Sequence, residues 1–121
     1  MELVSLKSFS DERGKLTVVE KCLPFEVKRI FFLHEIKPNQ TRGGHGHKWS
    51  KIGILSTSGS FKIKVKNGIK EEFFLLNAFE SVLVLNPEDW HLLFDFSVGA
   101  VACVFSSHFY DVNDYFFEEP I

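Results

Sequence analysis

Cysteine, methionine, proline and tyrosine are all scarce in this chain, whose 121 residues include 2 Cys, 1 Met, 4 Pro and 2 Tyr. Cys22 and Cys103 stand far apart and form no short metal-ligand or redox spacing, which excludes a Cys-x-x-Cys centre. Both are expected to be reduced, with Cys103, inside the apolar run Ala100 to Phe105, a small core residue. An excess of one charge is also missing: 14 Lys+Arg face 16 Asp+Glu, a formal net charge of −2. With a pI near 6.2 the chain has no general attraction to a phosphate backbone, so a nucleic-acid partner is not expected. No apolar run approaches the about 20 residues that cross a bilayer, and Glu2, Lys7, Asp11 and Glu12 interrupt any export core near the N-terminus. A cytoplasmic protein without membrane contact is the expectation.

Phenylalanine, by contrast, is abundant, at 14 residues against 2 Trp. It brings area without a hydroxyl, and so speaks for a packed interior. A hydrophobic fraction of 45% with 25% charged residues excludes wholesale disorder, and the length suits one domain over residues 1–121.

Apolar residues recur with a period of two between closely spaced turn residues. In Phe61-Lys62-Ile63-Lys64-Val65-Lys66 the three lysines share one solvated face, and the following Asn67-Gly68 predicts a type I′ hairpin into a second strand from Ile69 to Leu76. Further strands are predicted over Leu16 to Glu20, Val27 to Ile36, Ile52 to Thr57, Ser81 to Leu85, Trp90 to Phe96 and Ala100 to Ser106. Only Asp111 to Phe116 suggests a helical turn. Many short strands with Gly and Pro turns indicate an all-β antiparallel barrel or jelly roll.

The chemistry-bearing segment is Arg42-Gly43-Gly44-His45-Gly46-His47-Lys48. On an extended backbone the two-residue spacing turns His45 and His47 to one face, and the glycines let that backbone approach whatever lies there. Such a pair serves as bases or as metal ligands; a flexible surface loop is the plain alternative. Metal-binding cupins follow a His-x-His pair with a carboxylate, then a glycine, then a distant histidine. His45, His47, Gly59 and His91 fit that order, but Ile52 stands at the carboxylate position. Three imidazoles still suffice for Zn²⁺, although the charge compensation of an anionic ligand is gone.

The segments Asp11-Glu12-Arg13-Gly14, Pro24-Phe25-Glu26-Val27-Lys28-Arg29, Arg42 to Lys48, Ser58-Gly59-Ser60, Trp90-His91 and Tyr110-Asp111-Val112-Asn113-Asp114-Tyr115 occur in order through nearly the whole chain. Together they resemble the sugar-nucleotide 3,4-ketoisomerases, small cupins that act on dTDP-4-keto-6-deoxyglucose in making amino-deoxysugars for lipopolysaccharide O-antigen and other surface glycans. The resemblance implies a single cupin domain, a double-stranded β-helix, that moves the ketone from C4 to C3 through an enediol. It implies no metal and no other cofactor, and a homodimer with exchanged strands.

It also implies site residues. His45 corresponds to the base and His47 to a second polar or proton-relaying group; imidazole suits proton transfer near neutral pH. Arg42 is suited to a diphosphate, with a surface salt bridge as the equal alternative. Arg29 is a further substrate-binding candidate, its alternative being a strand-end ion pair. Trp90 is expected to combine core packing with a wall of the sugar pocket. Arg13 and His91 match the residue types of members that form the 3-keto-6-deoxygalactose product.

The chain departs from the family where a tyrosine pair is usual: Phe31 and Phe32 stand there, and a phenyl ring can neither donate nor accept a proton. A catalytically impaired sugar-nucleotide-binding cupin and a His-ligated metal-binding cupin are the competing readings. His34 and His108 are expected outside the site, and Tyr110 and Tyr115 are expected to pack and hydrogen-bond the closing segment.

Overall fold

The computed structural model describes residues 1–121. Twelve strands follow one another: β1 Glu2–Ser5, β2 Lys7–Asp11, β3 Gly14–Val18, β4 Arg29–Leu33, β5 Arg42–His47, β6 Ile52–Ser58, β7 Ser60–Asn67, β8 Lys70–Asn77, β9 Ser81–Leu85, β10 Trp90–Phe94, β11 Val101–Ser106 and β12 Tyr115–Phe116. A 3₁₀ turn at Val112–Asp114 precedes β12, where the helical turn is expected.

The strands form two five-stranded antiparallel sheets, ordered β1-β9-β6-β11-β4 and β12-β5-β10-β7-β8, with β2 and β3 pairing only with each other. This is the jelly roll that the short strands predict. Alternation does the sorting on β7: Phe61, Ile63 and Val65 are fully buried, while the lysines stand outside, Lys62 pairing with Asp95, Lys64 with Glu119, and Lys66 with Glu71 and Glu119. The inward residues join Ile52, Ile54, Leu76, Leu83, Leu85, Leu93, Ala102 and Val104 in one core between the sheets. Cys103 is buried as expected, in a smaller cluster with Leu55 and Val82.

The β7–β8 hairpin forms where Asn-Gly predicts it, but its turn is shifted. Asn67 pairs with Lys70, so the central residues are Gly68 and Ile69. Of these only Gly68 has positive φ, +58°, the pattern of a type II′ rather than a type I′ turn. The reason is tertiary: Asn67 is kept in the strand by its side-chain amide, which donates to the buried Asp89 carboxylate at 2.7 Å.

Strand β5 has three glycines among its six residues, which weaken an extended segment that stands alone. Two contacts fix it. On one edge His45 pairs with His91 of β10, and on the other Tyr115 and Phe116 of β12 pair with His47 and Gly46. The glycine at 46 is required by close approach: a Cβ there would lie 2.3 Å from the Phe116 ring. Gly43 adopts φ +85° where β10 shifts register after His91, a conformation that costs a side-chain-bearing residue energy.

Gly46→Ala is therefore expected to lower stability by about 1–3 kcal/mol, the typical cost of overpacking. Urea unfolding measures it, and an unchanged midpoint would show that the β5–β12 contact is looser than described.

Candidate active site

The pleat of β5 turns His45 and His47 into the barrel, and β10 adds His91 from the adjacent strand. Their ring centroids are 5.2 Å apart for His45 and His47, 4.8 Å for His45 and His91, and 5.9 Å for His47 and His91. The three rings line a cavity of about 180 Å³. Its other walls are Phe31 and Leu33 of β4, Ile52 and Ile54 of β6, Leu93 of β10, Val104 of β11 and Tyr115 of β12, with Arg42 and Gly43 also lining it.

The two sheets contribute unlike halves. Every titratable group that lines the cavity comes from β5, β10 and β12; the facing strands β4, β6 and β11 present only hydrocarbon. Burial dominates the electrostatics. It lowers the pKa of His91 to about 3, assisted by its two imidazole neighbours, and that of His47 to about 4. Burial also lowers that of the half-exposed His45, against the opposing effect of a hydrogen bond with the Gly43 backbone. All three rings are thus neutral at pH 7 and can accept a proton. The Nδ1 of His91 lies 3.4 Å from the Asp89 carbonyl, which only accepts, so it is the protonated nitrogen of that ring. The Nε2 of His47 is buried without a partner.

The segment after β11 closes this side of the cavity. Asp111 caps the 3₁₀ turn by accepting from the Asn113 amide, and Asp114 is buried behind it. Burial alone would raise the Asp114 carboxyl, but hydrogen bonds from the Ser50 hydroxyl and from the Trp49 and Ser50 amides outweigh that and hold its pKa low. The Lys48 amide donates to the Asp114 carbonyl at 2.6 Å. So tethered, Tyr115 lies with its ring centroid 4.8 Å from that of His45 and 4.6 Å from that of His47.

The sequence-derived candidates divide clearly. His45, His47, His91, Arg42 and Phe31 come together around the cavity. Arg42 makes no ion pair with a carboxylate, which removes the surface salt bridge suggested for it. The Arg29 guanidinium lies over the rings of Phe31, at 5.0 Å, and Tyr110, at 5.5 Å, its Nε buried and without a partner. Trp90 is not a wall of this cavity: as the neighbour of His91 on β10 it alternates to the opposite face, where its Nε1 donates to the Phe117 carbonyl and Lys64 lies over its ring. Arg13 lies outside this cavity, at the β2–β3 turn, where it pairs with Asp11. His34 and His108 are outside it too.

Tyr115 is the cavity residue that the sequence did not single out for chemistry. Its place depends on a two-residue strand pairing that no periodicity can reveal; the only available signal is the terminal Tyr-Asp motif. No three His, Cys, Asp or Glu side chains are arranged to hold a metal ion, and where a cupin metal site would need its carboxylate the wall is Ile52.

Because His47 and His91 are neutral when folded, the unfolded chain takes up protons first as pH falls below 6.5. Their contribution to stability is full above that pH and is lost progressively as pH drops towards their folded values. Urea midpoints are expected to fall between pH 7 and pH 5, with a smaller fall in His91→Gln; equal slopes in both proteins would contradict the burial of His91.

Comparisons with known proteins identify the family. The family model described as "FdtA: WxcM-like, C-terminal" matches residues 1–119. The chain is 30% identical over 116 residues to a TDP-4-oxo-6-deoxy-α-D-glucose-3,4-oxoisomerase from Aneurinibacillus thermoaerophilus, covering 94% of this chain and 84% of that one. It superimposes on the QdtA 3,4-ketoisomerase from Thermoanaerobacterium thermosaccharolyticum in complex with TDP with TM-score 0.92 at 34% identity, over 97% of this chain and 86% of that one. That QdtA is a double mutant with one tyrosine changed to arginine and one arginine changed to histidine. The WlaRB TDP-quinovose 3,4-ketoisomerase from Campylobacter jejuni gives TM-score 0.91 at 33% identity, over 97% and 92%. With its jelly roll, its paired imidazoles and its matching family model, the chain belongs to the sugar-nucleotide 3,4-ketoisomerases, a family of cupin enzymes.

Proposed function

We propose that the protein moves the ketone of dTDP-4-keto-6-deoxyglucose from C4 to C3, with His45 as the base. The carbonyl acidifies the C3 proton, and a neutral imidazole at the cavity wall takes it to give an enediol. His45 suits this role because it is the most accessible of the three rings, whereas His47 and His91 are buried. Arg42 lines the same cavity and makes no ion pair with a carboxylate, which suits it to the diphosphate.

The one-sided placement of the titratable groups carries the stereochemical part of the proposal. The hydrogen at C3 of the substrate and the hydrogen at C4 of a galacto-configured product lie on one face of the ring, so a carrier on one wall can remove the first and deliver the second. In a gluco-configured product the C4 hydrogen lies on the opposite face, which calls for carriers on both walls. Here β4, β6 and β11 offer hydrocarbon only, with Phe31 where a tyrosine is usual in the family. This supports 3-keto-6-deoxygalactose as product, and hence the synthesis of an amino-deoxysugar for a surface glycan. The arginine and histidine introduced into QdtA are the residue types that this chain carries at Arg13 and His91. Overall likeness to WlaRB weighs less, because the face of protonation is set by the few groups beside the sugar.

Arg13 lies outside the cavity of its own chain, so its proposed part in binding calls for a second copy. The β2–β3 ribbon pairs with nothing else, and Phe9 and Leu16 on it are 61% and 58% exposed. A lone two-stranded ribbon is marginal in water. The edge strand β4 meanwhile exposes Ile30 and Phe32. These features support a homodimer that exchanges its hairpins, with Arg13 delivered to the partner. Phe9→Asp is expected to shift the dimer to monomer in sedimentation equilibrium; a wild-type monomer would remove Arg13 from the site.

Incubation with dTDP-4-keto-6-deoxyglucose, followed by NMR, is expected to give the 3-keto-6-deoxygalactose product. His45→Asn is expected to lower turnover by about 100-fold or more with the fold retained. A gluco product would overturn the one-sided transfer, and full activity of His45→Asn would remove it as the base.

A further inference from the structure

The isomerisation moves two protons, and the imidazole base accounts for only one of them. When the C3–H bond breaks, its electron pair forms the C3–C4 double bond, and the electrons of the C4 carbonyl are left on O4. A proton must reach O4 as this happens, and a proton must leave O3 when the new carbonyl forms. The family's tyrosine, a group able to carry such a proton, is Phe31 in this chain.

The structure places another phenol in the same cavity. Tyr115 lines it, in contact with both His45 and His47, and its hydroxyl makes no hydrogen bond within the chain. Its backbone is fixed by three devices: the strand pairing with His47, the capped 3₁₀ turn before it, and the neighbouring Asp114, whose carboxylate is held by Ser50 and Trp49. A side chain kept only for packing needs no hydroxyl here. Tyr110, the other tyrosine, is 65% exposed and does not line the cavity.

We propose that Tyr115 is the proton carrier between the two oxygens, doing from β12 what the usual tyrosine would do from β4. This rests on the isomerase reading above. In the first half-reaction His45 takes the C3 proton while the Tyr115 hydroxyl gives its proton to O4, leaving the enediol, an imidazolium and a phenolate. In the second half the phenolate takes the O3 proton, the C3 carbonyl forms, and the double-bond electrons take the imidazolium proton at C4. Both side chains return to their starting states, with no external acid, base or redox partner. The arrangement also keeps both carriers on one sheet, in keeping with transfer on one face.

Deuterium exchange separates the two steps. Wild-type protein, Tyr115→Phe and the double variant Phe31→Tyr/Tyr115→Phe are each incubated with dTDP-4-keto-6-deoxyglucose in D₂O, with NMR following deuterium at C3 of the substrate and formation of the 3-keto product. Tyr115→Phe is expected to lose about 100-fold in product formation while C3 exchange falls less, so that exchange without turnover becomes the main outcome. Binding of dTDP is expected to be unchanged, and the double variant is expected to regain product formation by returning a phenol to the cavity. Product formation by Tyr115→Phe within about twofold of wild type would overturn the role, as would equal losses of exchange and product accompanied by weakened dTDP binding. Wild-type protein that neither exchanges C3 nor forms product would overturn the isomerase reading itself, and the role of Tyr115 with it.

Discussion

Asp114 is a carboxylate almost wholly withdrawn from water, and it is tolerated there because the Ser50 hydroxyl and the Trp49 and Ser50 amides all donate to it. Burying an ionised group without such partners would cost several kcal/mol. The hydrogen bonds tie the segment after β11 to the loop that follows β5, and β12 is thereby laid along β5. Phe116 then packs in the space that Gly46 leaves open, and Tyr115 covers the two imidazoles.

The chemistry of the cavity follows from that closure. With β12 in place His47 and His91 are shielded from water, and burial keeps them neutral. Burial makes charging any of the three rings unfavourable; His45 makes protonation of His47 and His91 harder still, and His47 adds to this at His91. The same shielding gives His45 its lowered pKa while leaving it partly open. Hydrocarbon from β4, β6 and β11 completes the enclosure, so that the titratable groups line the cavity from one side.

Much of this was legible in the sequence. Alternation along Phe61 to Lys66 and the turn residues announced a jelly roll, and the two-residue spacing of His45 and His47 announced two imidazoles on one face. What could not be read lies in contacts between distant segments. The turn of the β7–β8 hairpin moved by one residue because Asn67 is claimed by Asp89. Trp90 and His91 are adjacent in sequence but face opposite sides of β10, and only the pairing of His91 with His45 decides which of them lines the cavity. Tyr115 owes its position to a strand of two residues whose register is set by a buried carboxylate. Arg13 illustrates the complementary limit, since it lies on a ribbon that pairs with no other strand of the chain and outside the cavity.

The central claim is that the closed cavity keeps its imidazoles neutral and ready to accept a proton. NMR titration of the histidine ring ¹³C and ¹⁵N shifts tests it directly. His47 and His91 are expected to stay neutral down to about pH 5, and His45 to titrate below the ordinary value of 6.5. Titration of the three cavity rings at or above 6.5 would show a water-filled, charged pocket and contradict the account.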